Sequence, residues 1–178
     1  KFLEKCKERD IKVGLSSWYR QDVDDTRMKI TTADKMADCW ISTLRTIETD
    51  GLLDTVLYVD LCNEWPGNLW APFFSSRYPH VVWGQWHKEE SLQWMKHALT
   101  RMRKEYPDMP FLFSFDNGDV LKYEEIDTSF LDLYEHHIWM VHQNNSEFYK
   151  LVDYKDGQYS PEAYKKVVKV AEKLYKEK

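Results

Sequence analysis

Hydrophobic and polar positions along the chain follow two alternating patterns. Short runs rich in β-branched and aromatic residues predict strands, because such side chains suit a pleated and largely buried surface. The predicted strands cover residues 11–17, 55–61, 109–115 and 130–139. The connection between the last two, around residues 121–126, is barely long enough for a parallel crossover.

Segments with apolar residues at helical spacing lie between these runs. The first predicted helix is capped within residues 31–34 and ends at Gly51. A second stripe predicts a helix over about residues 89–106, and Pro161 begins a third that reaches the end of the chain. Residues 1–9 are typical of the tail of a preceding helix.

The alternation of strands and helices predicts parallel strands joined by right-handed crossovers. Two architectures fit this order: an open doubly wound sheet, or half of a (β/α)8 barrel. The chain has only six glycines and neither G-x-G-x-x-G nor G-x-x-x-x-G-K-[ST], so it lacks the usual phosphate-binding turn of a nucleotide-binding open sheet. This absence favours the barrel.

Composition narrows the range of functions. The chain has 178 residues, enough for one domain, and 43% of them are hydrophobic. Its net charge is −5, and its 25 basic residues are scattered among 30 acidic ones, so nucleic acid is not an expected partner. No apolar run predicts a membrane span or a signal peptide. The first residue is Lys rather than Met, which is compatible with a processed or excised segment. The three cysteines have no metal-binding spacing, so no metal site is predicted.

The second predicted strand runs directly into Asn63, Glu64 and Trp65. A strand ending in Asn-Glu resembles the clan A glycoside hydrolases, a group of cellulase-like retaining (β/α)8 barrels whose fourth strand ends in this pair. The resemblance implies that residues 1–178 are a partial catalytic domain, covering about strands 3 to 6 of a TIM barrel. It also implies that Glu64 is the general acid/base and that Asn63 binds the sugar 2-hydroxyl group.

The same resemblance implies a reaction. Retaining hydrolysis of an O-glycosidic bond in a poly- or oligosaccharide needs two carboxyl groups about 5 to 5.5 Å apart. Glu64 supplies one, and the family's nucleophile comes from a seventh strand that lies outside this chain. An acid role requires a raised pKa for Glu64, which we expect from a neighbouring carboxylate together with the apolar ring of Trp65 or another indole. No cofactor is expected, and the resemblance suggests a secreted or periplasmic location.

Further candidate residues lie where the other strands end. Trp18 and Arg20 follow the first strand, and His137 and Trp139 end the fourth, where such enzymes often carry His-x-Tyr. His136 points to the opposite face from His137, so the two cannot share one site in a regular strand. With Trp65, these four residues are the predicted substrate-binding set beside Asn63. The aromatic loop over residues 65–88 is predicted to border the site and to offer indole rings to sugars.

Two other interpretations fit the same residues. A barrel that binds carbohydrate without cleaving it would use the aromatic loop and Asn63 equally well. A complete small open-sheet protein would make the Asn63–Glu64 pair a coincidence. Under the barrel interpretation the partners are a carbohydrate substrate and the remaining strands of the same barrel, which would cover the edges left unpaired here.

Overall fold

A computed structural model describes residues 1–19, 25–116, 122, 123 and 125–137, together with four separate helical positions near the end of the chain. The elements, in chain order, are α1 (Phe2–Lys7), β1 (Val13–Ser16), α2 (Ala33–Thr49), β2 (Val56–Asp60), α3 (Pro72–Arg77), α4 (Glu89–Glu105) and β3 (Phe111–Leu112). Short 3-10 helices cover Thr26–Lys29 and Leu53–Thr55.

The three strands form one parallel sheet in the order β1-β2-β3. A fourth chain segment joins the far side of β3 through a parallel bridge between Phe115 and His136. The backbone N–H of His137 donates to the carbonyl of Phe115 at 2.7 Å, which extends this pairing. Neighbours in the sheet are therefore also neighbours in the sequence, which is consistent with part of a (β/α)8 barrel.

Both long helices were predicted within one or two residues. Thr32 caps α2, where its hydroxyl accepts a hydrogen bond from the backbone N–H of Lys35. The helix ends before Gly51, whose φ of 69° lies in the left-handed region that favours glycine. The four described positions near the end of the chain are helical and exposed, in agreement with the helix predicted from Pro161 onward. They are Lys165, Lys169, Glu172 and Lys176.

The strand predictions were too long at three positions. β1 begins at Val13 instead of residue 11, and β3 is confined to Phe111–Leu112. The fourth predicted strand shows only the bridge at His136 among the described residues, and its end at Trp139 lies outside them. The loop predicted over residues 65–88 also contains the short helix α3, which begins with a proline at its first turn.

The core lies between the sheet and one layer of helices. The buried faces of α2 and α4 pack against each other and against the outer face of the sheet, which includes Val59 and Leu61. The indole N–H of Trp40 donates to the carbonyl of Leu61 at 3.0 Å and ties α2 to the end of β2. Within the described part of the chain, every helix is too short or too polar to span a lipid bilayer.

The other face of the sheet is more polar. Gly14 pairs with Tyr58, and Ser16 with Asp60, so these four residues share the face that turns away from the helices. The ring of Tyr58 lies over Gly14, where a β-carbon would come within 2.4 Å of it. In a barrel this face is the interior, and its upper end leads to the catalytic mouth.

We expect Leu44→Ala to lower the free energy of unfolding by about 2–5 kcal/mol, because Leu44 is fully buried in the core and truncation leaves a cavity. Thr43→Ala, on the exposed side of the same helix, should change it by less than about 0.5 kcal/mol. Urea denaturation of both variants measures the difference. Equal effects at the two positions would contradict the assignment of the α2 face.

Candidate active site

The hydrogen bonding of the sheet continues past the ends of the strands. The N–H of Asn63 donates to the carbonyl of Ser17 at 3.0 Å, and the N–H of Trp65 donates to the carbonyl of Ser114 at 2.8 Å. The residues that follow β1, β2 and β3 are thereby brought to one edge of the sheet. Glu64 lies at the centre of this edge, between the two bonded residues.

Glu64 has a backbone conformation that residues other than glycine rarely adopt. Its φ is 46°, in the left-handed region, and outliers of this kind cluster at functional sites. Its N–H donates to the hydroxyl of Ser114 at 3.1 Å, and its carbonyl accepts from the N–H of Gly67 at 2.7 Å. The following peptide bond, Trp65-Pro66, is cis. The chain therefore turns sharply at the residue that the sequence singled out.

The carboxylate of Glu64 is nearly buried, with 7% of its side chain exposed, and N–H donors contact both oxygens. The indole N–H of Trp70 donates to Oε2 at 2.9 Å, and Nδ1 of His137 lies 3.1 Å from Oε1. Two donors from different parts of the chain thus fix the plane of the carboxyl group.

His137 lies between two carboxylates. Its Nε2 is 3.6 Å from Oε1 of Glu135, opposite the contact that Nδ1 makes with Glu64. The carboxylates of Glu135 and Glu64 raise the pKa of His137 to about 9, although partial burial opposes the shift. The imidazole is therefore a cation at neutral pH. Glu135 also raises the pKa of Tyr58, after the larger effect of burial, which extends this polar group into the interior face.

Two exposed indole rings lie close to the turn that carries Glu64. Trp18 is 54% exposed, and its ring centroid lies 4.6 Å from that of Trp70. Trp83 is 39% exposed and approaches Gly67, beside which Trp70 also lies. A β-carbon at Gly67 would come within 2.7 Å of the Glu64 carbonyl and 3.4 Å of the Trp83 ring. Because Gly67 has no side chain, the rings of Trp70 and Trp83 can pack beside it.

The structure corrects the prediction for Trp65. Its ring is fully buried, packs on Phe74 and Phe113, and donates its N–H to Ser91 at 2.7 Å. No face of the ring is open to a sugar, and the ring that contacts Glu64 is Trp70. Trp65 follows Val59 and Leu61 at two-residue spacing, so the strand alternation directs its ring to the helix face of the sheet. Trp86, which also lies in the aromatic loop, is likewise fully buried.

The other predicted residues have mixed outcomes. Asn63 is buried beside Glu64, with 6% exposed. His137 contacts Glu64, whereas the ring of His136 packs against Tyr123, so the two histidines do point in different directions. Burial lowers the pKa of His136 to about 3, which keeps it neutral. Arg20 and Trp139 lie outside the described residues.

Three contacts of the site were missed from the sequence. The aromatic loop was noted, yet nothing in it distinguished Trp70 as a partner of Glu64. Glu135 shares a strand face with His137 at a spacing of two residues, which was a usable signal. Ser114 precedes Phe115 in an apolar run, where a lone hydroxyl marked a side chain in need of a partner.

Comparisons with known proteins bear on the family to which the chain is similar. A family model described as cellulase-like and sugar-binding matches residues 1–178. No curated protein matches the chain. A crystal structure of a protein from Parabacteroides distasonis ATCC 8503, described as a candidate glycoside hydrolase, is 68% identical, with a TM-score of 0.79. The match covers 99% of this chain and 46% of that one, so the chain spans less than half the length of this relative.

The raised pKa of His137 predicts a pH-dependent stability. Because the pKa is about 9 in the folded protein and near 6.5 when unfolded, the ion pairs contribute fully below about pH 6.5. Their contribution is lost as the pH rises through 9. The unfolding free energy of the wild type relative to His137→Gln should therefore fall between pH 7 and 10, by at most roughly 3 kcal/mol.

The control is Thr43→Ala, an exposed substitution on α2 that removes no ionisable group. Its difference from the wild type should not change over the same pH range. Titration of the His137 ring by NMR provides a direct measurement. A midpoint near 6.5 would contradict the two-carboxylate environment.

Proposed function

Since the chain belongs to the cellulase-like, sugar-binding family, we propose that it forms part of the catalytic barrel of a retaining glycoside hydrolase. Glu64 acts as the general acid/base, and a carboxylate from strands beyond this chain acts as the nucleophile. The observation that carries the proposal is the Glu64 carboxylate itself. It is nearly buried at the carboxyl ends of parallel strands, held on both oxygens, and bordered by exposed indoles.

The chemistry follows from the contacts of the carboxyl group. As the acid, Glu64 protonates the leaving glycosidic oxygen, and as the base it activates the water that hydrolyses the glycosyl-enzyme intermediate. Each of its oxygens accepts a hydrogen bond from an N–H donor, and since a carboxylate oxygen has two lone pairs, protonation does not by itself break these contacts. The negative charge of a nearby nucleophile favours the protonated form, and this charge disappears when the covalent intermediate forms.

The substrate class follows from the rings around Glu64. Indole faces suit the apolar faces of pyranose rings, and Trp18 and Trp83 present theirs to solvent within reach of the Trp70–Glu64 pair. We therefore propose a poly- or oligosaccharide with β-linked pyranose units, with Asn63 contacting the 2-hydroxyl group. A substrate of this size suits a secreted or periplasmic location.

One observation favours a second function. In this arrangement, N–H donors already occupy both oxygens of Glu64, as they would if the carboxylate only anchored the loop of a sugar-binding site. A barrel that binds carbohydrate without cleaving it would keep the exposed indoles for binding and would be as stable as a catalytic one. The two functions differ in whether hydrolysis depends on Glu64.

We expect Glu64→Gln in the full-length protein to reduce the hydrolysis of unactivated β-glycosides by about 10²–10⁴-fold or more. The first step on a dinitrophenyl glycoside should be largely preserved, because that leaving group departs without protonation. A burst of phenol followed by slow turnover should be seen with the best substrate among cellobiosides, xylobiosides and mannobiosides. Azide should accelerate the slow step, because it needs no base.

The control for charge removal is Glu90→Gln, which breaks an exposed pair with His80 and should leave turnover within about twofold. Equal loss on activated and unactivated substrates would show that Glu64 is not the acid/base. Binding of oligosaccharides by the wild type, with no hydrolysis of any member of the panel, would establish the second function instead.

We further expect Trp83→Ala to weaken oligosaccharide binding by on the order of tenfold, because it removes a partly exposed ring from the proposed sugar surface. Val82→Ala is the matched control, since it truncates an exposed apolar side chain in the same loop. Its affinity should stay within about twofold of the wild type. Calorimetric titration measures both, and equal affinities for the two variants would remove Trp83 from the binding surface.

A further inference from the structure

The last residue of β2 is a carboxylate buried inside the sheet. Asp60 is 1% exposed, and both of its oxygens accept hydrogen bonds. The hydroxyls of Ser16 and Ser114 donate to Oδ2 at 2.6 and 2.8 Å. The backbone N–H groups of Ser114 and Cys62 donate to Oδ1 at 2.8 and 3.2 Å. Asp60 thus ties β1, its own strand and the segment after β3 together, one layer below Glu64.

Burial raises the pKa of Asp60 to about 6, and the hydrogen bonds from Ser16 and Ser114 oppose this shift. The carboxyl group is therefore mainly ionised at neutral pH. Four hydrogen-bond donors contact it, which is the arrangement that an ionised carboxylate requires, and the nearby Glu135 carboxylate acts against the ionised form. Taking such a charge out of water is costly, so a stable sheet alone would be better served by an apolar residue here.

Ser114 links this buried charge to Glu64. Its hydroxyl donates to Asp60, so its oxygen is left to accept, and it accepts the N–H of Glu64 at 3.1 Å. Its carbonyl accepts the N–H of Trp65 at 2.8 Å. Both peptide N–H groups that flank the Glu64 Cα therefore donate to Ser114. These bonds hold a residue whose φ of 46° is unfavourable for a side chain.

We propose that Asp60 is a positioning residue for Glu64. The Asp60 carboxylate orients the Ser114 hydroxyl, and Ser114 in turn holds the left-handed turn and aims the Glu64 carboxyl group. The proposal rests on the proposed function of Glu64 as the acid/base. Asp60 does not contact the substrate. A displacement of about 1 Å at the acid can cost about 10²-fold in rate, so such a support has a measurable effect.

The test compares Asp60→Asn, Ser114→Ala and the double variant in the full-length protein. Each is assayed on the dinitrophenyl and the methyl glycoside of the disaccharide that the wild type hydrolyses fastest. We expect both single variants to lose about 10–100-fold in kcat/KM on the methyl glycoside and less than about threefold on the dinitrophenyl glycoside. The reason is that only the substrate with the poor leaving group depends on the aim of Glu64.

The double variant should lose no more than the worse single variant, because both substitutions break one link. Ser16→Ala is the matched control: it removes a hydrogen bond to the same Asp60 oxygen but does not touch the backbone of Glu64. It should lose less than about threefold on both substrates. If Asp60→Asn does not fold, Ser114→Ala decides the question, since it removes only a hydroxyl group.

Equal losses on the two substrates, additive losses in the double variant, or a loss in Ser16→Ala as large as in Ser114→Ala would overturn the proposal. Glu64→Gln separates this failure from failure of the proposed function. If Glu64→Gln discriminates between the leaving groups and Asp60→Asn does not, only the positioning role is wrong. If Glu64→Gln does not discriminate, the acid/base assignment fails and the positioning role fails with it.

Discussion

Parallel pairing on both sides of β2 is the constraint on which the other features depend. It forces each connection to cross back over the sheet, and α2 and α4 make these crossings on one face, where they pack against each other. It also sends every strand out at the same edge. Polar residues from four distant parts of the sequence therefore meet there without any loop having to reach across the molecule.

Much of the fold could be predicted from the sequence, because its signals are local. The apolar stripe of α2, the hydroxyl that caps it and the glycine after it are all within one short segment. β2 was also predicted within a residue at each end. The ends of β1 and β3 were not, because the apolar run around each continues beyond the residues that pair. Periodicity reports burial, whereas a strand boundary depends on a partner elsewhere in the chain.

Sequence reasoning singled out the central residues of the candidate site and missed the residues that support them. Glu64, Asn63 and His137 were singled out because they lie at strand ends and because a family pattern draws attention to them, and their roles stay predictions. Trp65 was assigned to the wrong side. The alternation that places Val59 and Leu61 on the helix face also places Trp65 there, whereas the prediction followed its neighbour Glu64. The contacts with Glu64 come from residues 6, 50 and 73 positions away, through Trp70, Ser114 and His137. Such contacts follow from topology, and topology follows from the parallel sheet.

Gly67 has a consequence for how this family evolves. The space for a side chain at this position is taken by the Glu64 carbonyl, which is backbone and cannot rotate away, and then by the rings of Trp70 and Trp83. Any mutation there moves the turn itself, whatever chemistry the turn serves. Among relatives that keep this turn, we therefore expect glycine at position 67 whether or not the protein cleaves sugars. A glycine at this position reports on the architecture of the turn and, by itself, says nothing about catalysis.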